Sequence, residues 1–494
     1  MKQFFSNIGY SMSKVWYKLS RWWKSFWEHK TLTKKLLFTL SFLAIYVIMT
    51  TIGAPFVRIN QADLINQDTF FNTLNLIGGG GLRNFSLVAL GISPFINASL
   101  IMSLLQTRLF PAIHKLSQSG PQGRRKLNVI TRVLTLFIAF PQAILLSQSL
   151  GSGENPFIEI LPVFGSSSLI ATTYFIVPMI LIGGSLFSLF IAEQITDKGI
   201  GNGTSLIIFT GMAFALPNQF RQATAFFVGD SSSSSLFIGS LKFVGYVFVF
   251  AITIFIVALV YNSERHIPIQ QTGAGRSRNV NEMGKLPIKL NPGGIMPIIF
   301  STMILSFPLM IARILPTGNP AKAWINEYMQ FTSPLGLSLL VVITFFFSYL
   351  MGIQQSKIDK ISEDFAKNST FIPGIQPGEQ TEDYLFGVVL RLSTFSAFYL
   401  IILASFQYLQ IIVLKWPAAI AFGGTSIMIL VSVAIETIGQ FKARLKTTHF
   451  AKQKQLSRQV SEQINYENVY TEHGPNLDNK NKKIKKTNGD GLLW

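Results

Sequence analysis

The serine at position 93 has the neighbours that most resemble a catalytic motif. Gly91-Ile92-Ser93 matches the Gly-x-Ser of intramembrane serine proteases, in which the serine needs a histidine within hydrogen-bond reach at the same membrane depth. The five histidines of the chain all lie outside its apolar segments. The pattern therefore argues against proteolysis, and Ser93 is interpreted as a hydroxyl that lines a path or is satisfied within the protein.

The other residues capable of chemistry also form no evident site. Gly199, Gly201 and Gly203 superficially resemble a phosphate-binding loop, but no Gly-Lys-Ser/Thr follows them, which favours a tight turn between two apolar segments. The chain has no cysteine, so it has no disulfide, thiol nucleophile or thiolate metal site. Its histidines lack metal-ligand spacing. We predict no catalytic activity, no metal and no cofactor.

The composition is that of a membrane protein. Hydrophobic residues make up 49% of the 494 residues and charged residues 13%, about half the share in a typical soluble protein. Ten apolar segments approach the length of about 20 residues that spans a bilayer. They lie near residues 35–57, 82–106, 127–150, 168–192, 203–220, 236–261, 293–314, 332–353, 384–411 and 417–439. Most of the 42 Lys and Arg residues lie in the termini and in the loops after even-numbered segments, so the positive-inside rule places both termini in the cytoplasm.

The second apolar segment is interrupted in a way that a single straight membrane helix is not. Gly78 to Gly81 precede it, and Gly91 and Pro94 break the backbone ladder again. We predict a short half-helix at about 82–90 hinged to a longer one at about 92–106. Broken backbone at membrane depth is tolerated only where protein or water surrounds it, so this stretch indicates a transport path.

The longer half-helix has one apolar face and one polar face. Ile92 and Ile96 are four residues apart and share the first, while Ser93 and Asn97 share the neighbouring one. Kinked helices of this kind occur in many transporters, so a secondary transporter of a small solute stays open as an alternative. Coupled transporters usually carry ionisable residues at the membrane midplane, and the centres of these segments have none.

Five further motifs accompany the ten segments. They are SGPQGRRKLN before the third, AEQITDKGIGNGTSLIIF entering the fifth, LPIKLNPGGIMPIIFSTMILSFP entering the seventh, FIPGIQPGEQTEDYL before the ninth and FGGTSIMILVSVAIET in the tenth. In this order, and with the interrupted second segment, they resemble the SecY family, whose members form the centre of protein-conducting channels. The resemblance covers about residues 35–450 and favours a channel over a transporter.

The resemblance implies an all-α integral membrane protein with ten transmembrane helices in two inverted five-helix halves around a central pore, with a short plug helix. We predict a cytoplasmic amphipathic segment at 1–34 and a first half at 35–230, with the plug at about 78–90. A second half follows at 231–440, and a basic, disordered cytoplasmic tail at 441–494. Such a protein passes unfolded polypeptides across the membrane and releases hydrophobic segments sideways into lipid.

The resemblance also assigns residues to the parts of the channel. A ring of branched aliphatic side chains, which excludes water by dewetting, comprises Ile92, Ile96, Ile208, Ile299 and Ile429. The plug comprises Gly79, Gly80, Leu82, Arg83, Asn84 and Phe85. The lateral gate comprises Ser93, Asn97, Thr302 and Phe307. Without the motif alignment, the isoleucines would read as ordinary core residues.

Two polar loops at about 262–292 and 354–383 carry basic residues that suit ribosomal RNA, because phosphate attraction is strong and salt-dependent. In the SecY family these loops dock the ribosome or the SecA motor; solvated loops that only obey the positive-inside rule are the alternative. The residues assigned to docking are Arg265, Arg276, Arg278, Lys285, Lys357, Lys360 and Gln376. Gln376 stands where the family usually has an arginine used for motor coupling, so we expect that coupling to be altered.

The N-terminal segment adds a contact with lipid or protein. Between residues 14 and 27, basic side chains occupy one side of a helix and tryptophans the other, which is typical of an interfacial helix on anionic lipid or of a helix packed on a partner. The resemblance further implies SecE-like and SecG-like small membrane subunits, a ribosome or SecA at the cytoplasmic face, secretory polypeptides as cargo and the plasma membrane of a bacterium as location.

Overall fold

The computed structural model describes residues 30–60, 69–106, 110–151, 156–162, 169–229, 233–271, 284–316 and 318–472. The predicted amphipathic N-terminal helix and the lysine-rich end of the tail lie outside these ranges. The chain divides into two compact units, Met1–Ile438 and Gly439–Trp494. The second unit is helical over its described residues, to Glu472.

The described part is mostly helical. The helices up to the middle of the chain are α1 (Lys30–Thr51), α2 (Thr69–Gly78), α3 (Ser93–Leu105), α4 (Pro111–Gln118), α5 (Gly120–Gly151), α6 (Leu169–Ala171), α7 (Val177–Lys198), α8 (Gly203–Val228) and α9 (Ser233–Asn262). A π-helical turn, Thr172–Ile176, joins α6 to α7. The later helices are α10 (Met296–Ile314), α11 (Pro320–Tyr328), α12 (Pro334–Ser356), α13 (Ile358–Lys367), α14 (Glu379–Val413) and α15 (Gly424–Glu472).

The predicted membrane segments correspond to ten of these helical stretches. Among the described residues, seven helices are long and apolar enough to cross a membrane: α1, α5, α7 with its π-helical turn, α9, α12, α14 and α15. The shorter apolar stretches Ser93–Leu105 and Met296–Ala312 match the second and seventh segments, and α8 matches the fifth. The prediction of a ten-helix membrane fold is confirmed.

Side chains at the helix starts explain where several helices begin. The Asn202 side chain accepts a hydrogen bond from the Thr204 backbone N–H at 3.2 Å, and Ser333 Oγ accepts one from the Gly336 N–H at 3.1 Å. Each bond satisfies a donor that the first turn of a helix leaves unpaired. The tight turn predicted over Gly199 to Gly203 is confirmed, because it joins α7 directly to α8.

Two small antiparallel sheets complete the fold, and the sequence analysis missed both. Strands β1 (Val57–Ile59) and β2 (Ile158–Ile160) pair with each other. Strands β3 (Glu264–Gln271), β4 (Gly284–Lys289) and β5 (Thr370–Phe371) form a sheet in the order β4-β3-β5. Aliphatic residues at alternate positions in HIPIQ and KLPIK are a strand signal for β3 and β4, which the proline between them in each motif weakens.

Two sequence-based expectations are corrected by the backbone. The half-helix predicted at about 82–90 is wrong, because residues 81–92 form a series of turns and the short helix, α2, precedes the glycines instead. The disordered tail predicted from residue 441 is wrong as far as Glu472, where α15 ends. The first error has its cause in tertiary contacts, since the residues after α1 and the Ser185 hydroxyl bond the backbone of residues 81–92.

Candidate functional site

The turn-rich stretch between α2 and α3, residues 79–92, is called the plug segment here. Its backbone turns through bonds of three-residue span, such as Phe85 N–H to the Leu82 carbonyl and Gly91 N–H to the Val88 carbonyl, each at 2.9 Å. Gly79 and Gly80 have φ values of +94° and +89°, a region that favours glycine. The glycines therefore permit the turn that carries the chain from α2 into the plug segment.

Side chains within and beside the plug segment hold its turns. The Asn75 side chain oxygen accepts a hydrogen bond from the Arg83 N–H at 3.1 Å, and the Asn75 carbonyl accepts one from the Gly80 N–H at 2.8 Å. Ser86 Oγ donates to the Gly81 carbonyl at 2.9 Å. These bonds satisfy polar groups that would be costly to bury unpaired.

The end of α1 pairs with the plug segment. Backbone N–H groups of Ala54 and Leu87 donate to the carbonyls of Phe85 and Ile52 at 2.9 and 3.0 Å. Tyr46 Oη, which is fully buried, donates to the Gly79 carbonyl at 3.0 Å. The first membrane helix and the residues that follow it therefore bind the start and the middle of the segment.

Helices α7 and α8 approach the plug segment through glycines. Gly184 lies against the Leu87 carbonyl so closely that a Cβ there would overlap it, and Gly211 lies against the backbone of Gly79 in the same way. Ser185 Oγ donates to the Gly91 carbonyl at 2.7 Å. The sequence analysis did not single out these residues, although Gly211 is an isolated glycine in an apolar helical run, which is a signal of close packing.

The five predicted ring isoleucines lie together. Ile92, Ile96, Ile208, Ile299 and Ile429 come from the end of the plug segment and from α3, α8, α10 and α15, and all are 6% exposed or less. They belong to one apolar cluster, which also includes Val88 of the plug segment and Tyr46 of α1. The structure thus packs the assigned ring against the plug segment. The role of the ring as a seal stays a prediction.

Buried polar groups in the described residues are uncharged. They are Ser, Thr, Asn and Gln side chains, with no Asp, Glu, Lys, Arg or His among them. Within the same part of the chain, no group of three or more His, Cys, Asp or Glu could hold a metal ion. The described centre therefore lacks the ionisable side chains that coupled transporters usually carry at the membrane midplane.

The predicted gate residues lie on α3 and α10. Ser93 Oγ accepts a hydrogen bond from the Gln142 side chain of α5 at 2.6 Å, a partner that the sequence does not reveal, and the serine has no histidine partner among the described residues. Thr302 is buried and bonds the Ile299 carbonyl within its own helix. Asn97 is half-buried, and Phe307 is 57% exposed.

The predicted docking residues lie on a small subdomain formed by the three-stranded sheet and α13. Strand β3 pairs with β4 and, through Gln270 and Phe371, with β5, so the two polar loops are joined. Ile267, Ile358 and Leu385 belong to an apolar cluster that packs the sheet and α13 on the start of α14. The two loops are therefore parts of one packed body rather than separate appendages.

The assigned docking residues that the structure describes all point to solvent. They are Arg265 on β3, Lys285 on β4, Lys357 at the junction of α12 and α13, Lys360 on α13, and Gln376 before α14. Lys367 forms an ion pair with Glu363, since its Nζ donates to that carboxylate at 2.6 Å, and this hydrogen bond lowers the pKa of the Glu363 carboxyl. Arg276 and Arg278 lie outside the described residues.

A bundle of membrane-spanning helices, with an uncharged apolar centre against which a folded segment is packed, has the features of a closed channel. A family model described as SecY matches residues 86–438. The protein translocase subunit SecY of Mycoplasma capricolum is 36% identical over 437 residues, which are 86% of this chain and 90% of that relative. The chain belongs to the SecY family.

Solved structures agree with this assignment at the level of the fold. One, described as the structure of a protein conducting channel, superposes with a TM-score of 0.57 at 19% identity and covers 83% of this chain and 92% of that chain. Another, described as Sec61 in the canine ribosome-channel complex from the endoplasmic reticulum, has a TM-score of 0.51 at 17% identity with the same coverages. The family is one of translocation channels, which excludes the small-solute transporter considered above.

Proposed function

We propose that this chain is the central, pore-forming subunit of a Sec translocase. Unfolded polypeptides pass through the isoleucine ring, and hydrophobic segments leave sideways into lipid. The observation that carries the proposal is the single apolar cluster that joins the five isoleucines to the plug segment. A ring of this kind holds no ion and excludes water, yet it yields around a passing chain.

In the resting state, the plug segment seals the ring by occupying a site built from neighbouring helices. Its seat consists of backbone hydrogen bonds from the end of α1, the Tyr46 and Ser185 hydroxyls, and the close glycine contacts of α7 and α8. A translocating chain displaces the segment and exchanges these contacts for its own. No chemical step is required of this subunit, so the energy for movement comes from a partner.

For the lateral gate, helix pairing suggests where the bundle parts. The Ser93–Gln142 hydrogen bond holds α3 to α5, and the rings of Phe300 and Phe347, 6.1 Å apart, hold α10 to α12. We infer that the α3–α5 pair moves away from the α10–α12 pair when a hydrophobic segment leaves. Asn97 and Phe307 then lie on opposite sides of the opening.

A disulfide across this opening is expected to lock the channel. Because the chain has no cysteine of its own, Asn97→Cys with Phe307→Cys supplies the only thiols. Neither position is buried, so oxidant reaches both, and a disulfide requires Cα atoms within about 7 Å. The oxidised protein should neither insert membrane helices nor start secretion, and reductant should restore both.

The matched control pairs Asn97→Cys with Phe255→Cys on α9, a position 67% exposed. This pair should remain reduced under the same oxidant. The gate assignment fails if the Asn97–Phe307 pair does not crosslink, or if the crosslinked protein inserts a membrane substrate at the normal rate.

The basic subdomain is proposed as the docking site for a ribosome, through phosphate contacts with its RNA. Arg265→Glu with Lys360→Glu should weaken ribosome binding and make it less sensitive to salt, because each lost phosphate contact lowers the logarithmic salt slope by about one. Binding of ribosomes to the reconstituted channel across a salt series measures both quantities. The control is Lys322→Glu, on α11 outside the subdomain. Equal salt slopes of ribosome binding for the parent protein, the double variant and the control would exclude the subdomain as the docking site.

The finer assignments of partners and place follow the family. We propose that SecE-like and SecG-like subunits bind the bundle, that SecA shares the docking face, and that both termini lie on the cytoplasmic side of a bacterial plasma membrane. Relatives such as that of Mycoplasma capricolum are bacterial, which supports this location. Exposed Gln376 in place of an arginine supports altered coupling to the motor. The N-terminal helix is proposed to bind anionic lipid.

A further inference from the structure

A separate cavity lies between the membrane-spanning helices, and no residue of the ring, plug or gate lines it. Its volume is about 870 Å³, within the range of about 300–1,000 Å³ that is typical of small-molecule sites. Its walls come from the end of α8, the first half of α9, the end of α14 and the segment before α15. Six aromatic side chains line it: Phe226, Phe227, Tyr246, Phe406, Trp416 and Phe422.

The polar groups of the wall are used within the protein. Tyr246 Oη donates to the Ile420 carbonyl at 3.0 Å. The Gln410 amide accepts from the Phe422 N–H at 3.2 Å and donates to the Phe422 carbonyl at 3.4 Å. The Trp416 ring lies 5.6 Å from that of Tyr246, centre to centre. The interior of the cavity is therefore a fixed aromatic surface that suits an apolar chain.

Lys242 is the one charged residue among the described residues that line the cavity. It is also the only charged residue of the membrane span Leu236–Asn262, in which an ionisable side chain is costly and points to a function. It lies about 9 Å along the helix from Leu236, a depth from which a lysine reaches the headgroup layer. Among the described residues, no carboxylate pairs with its ammonium group.

Two glycines of α9, Gly239 and Gly245, line the cavity, and only Gly245 faces open space. A Cβ at Gly239 would overlap the Phe227 carbonyl, whereas a Cβ at Gly245 would meet no atom within 4 Å. Ile238 and Leu414, which also line the cavity, are more than half exposed on the outer surface of the bundle, where lipid lies. The cavity is thus accessible from the membrane.

We propose that this cavity binds an acyl chain of an anionic phospholipid, with the lipid phosphate at the Lys242 ammonium. The aromatic walls receive the hydrocarbon, and the lysine, which no carboxylate of the described residues pairs with, supplies the charge that selects an anionic headgroup. The site is distinct from the lipid contact of the N-terminal helix, and it does not depend on how the channel moves its cargo.

Tryptophan quenching by brominated lipid tests the proposal. The full chain, with each of its seven tryptophans except Trp416 replaced by phenylalanine, is reconstituted in phosphatidylcholine vesicles. Brominated phosphatidylglycerol or brominated phosphatidylcholine is then added. One lysine near a membrane surface contributes about 1 kcal/mol, which is an about fivefold preference for the anionic lipid. Brominated phosphatidylglycerol should therefore quench Trp416 to the same extent as brominated phosphatidylcholine at about one fifth of its mole fraction.

Two variants separate the headgroup from the chain. Lys242→Gln should abolish the preference, and Gly245→Leu should fill the cavity and reduce quenching by both lipids. The control is Lys322→Gln, because the Lys322 ammonium donates to the Leu315 carbonyl just after α10 and lies outside the cavity lining. This variant should change neither the headgroup preference nor the extent of quenching. Equal quenching by the two lipids in the parent protein, or undiminished quenching in Gly245→Leu, would overturn the proposal. Protection of Trp416 from both lipids by a co-purifying subunit would show that a protein helix occupies the cavity instead.

Discussion

Gly184→Ala is expected to unseat the plug segment and make the resting channel leak ions, whereas Gly183→Ala is expected to leave it closed. A methyl group at 184 would overlap the Leu87 carbonyl, while one at 183 would meet no atom within 4 Å. Overpacking of this kind costs about 1–3 kcal/mol. Because that cost falls on the seated state, the ratio of closed to open channels should drop about 5- to 150-fold.

Ion conductance of the reconstituted channel without substrate measures this change, together with export of a reporter that has a defective signal sequence. Both should rise in Gly184→Ala. Gly211→Ala tests the same seat from α8, because its Cβ would overlap the backbone of Gly79. If neither variant leaks while both accumulate normally in the membrane, the close glycine contacts do not keep the pore closed.

Ile429→Asn is expected to have an effect of similar size on the ring. Ile429 is 3% exposed, and an amide buried there without a partner costs about 1–3 kcal/mol in the dry, closed state. Water satisfies the amide once the ring is wetted, so the substitution favours the open state. We expect raised ion leak and a relaxed requirement for a good signal sequence.

The informative control is Ile427→Asn, two residues earlier on the same helix. Ile427 is also 3% exposed but belongs to a different apolar cluster from the ring. Its replacement should lower stability without increasing conductance, and Ile429→Leu should preserve the seal. Equal leak from the two asparagine variants would mean that loss of buried apolar packing, not a ring, explains the phenotype.

Local patterns in the sequence predicted the parts of the fold that local physics determines. Runs of apolar residues indicate membrane helices because the bilayer selects them by length. The glycines at 78–81 and 91 indicate broken backbone because glycine favours the positive φ angles that are observed at 79, 80 and 91. Motif order then placed the five isoleucines, which the structure brings into one cluster.

Features that depend on distant partners were not predictable in the same way. The turns of the plug segment replace a half-helix because the end of α1 pairs with residues 85–87, and no local pattern encodes that pairing. The partner of Ser93, Gln142, is 49 residues away along the chain. Strand β5 joins β3 across about a hundred residues, so its two residues carry no signal of their own.

The seat of the plug segment has a consequence for biogenesis. The hydrogen bonds and glycine contacts described above all come from residues between Tyr46 and Gly211, whereas two ring residues, Ile299 and Ile429, follow much later. Since chains are made from the N-terminus and their early parts fold first, we expect the hydrogen-bonded part of the seat to form while α10 to α15 are still unsynthesised. On the proposed roles of the plug segment and the ring, the segment that closes the pore is thus in position before the pore itself is complete, and a partly synthesised chain does not leave an open pore in the membrane.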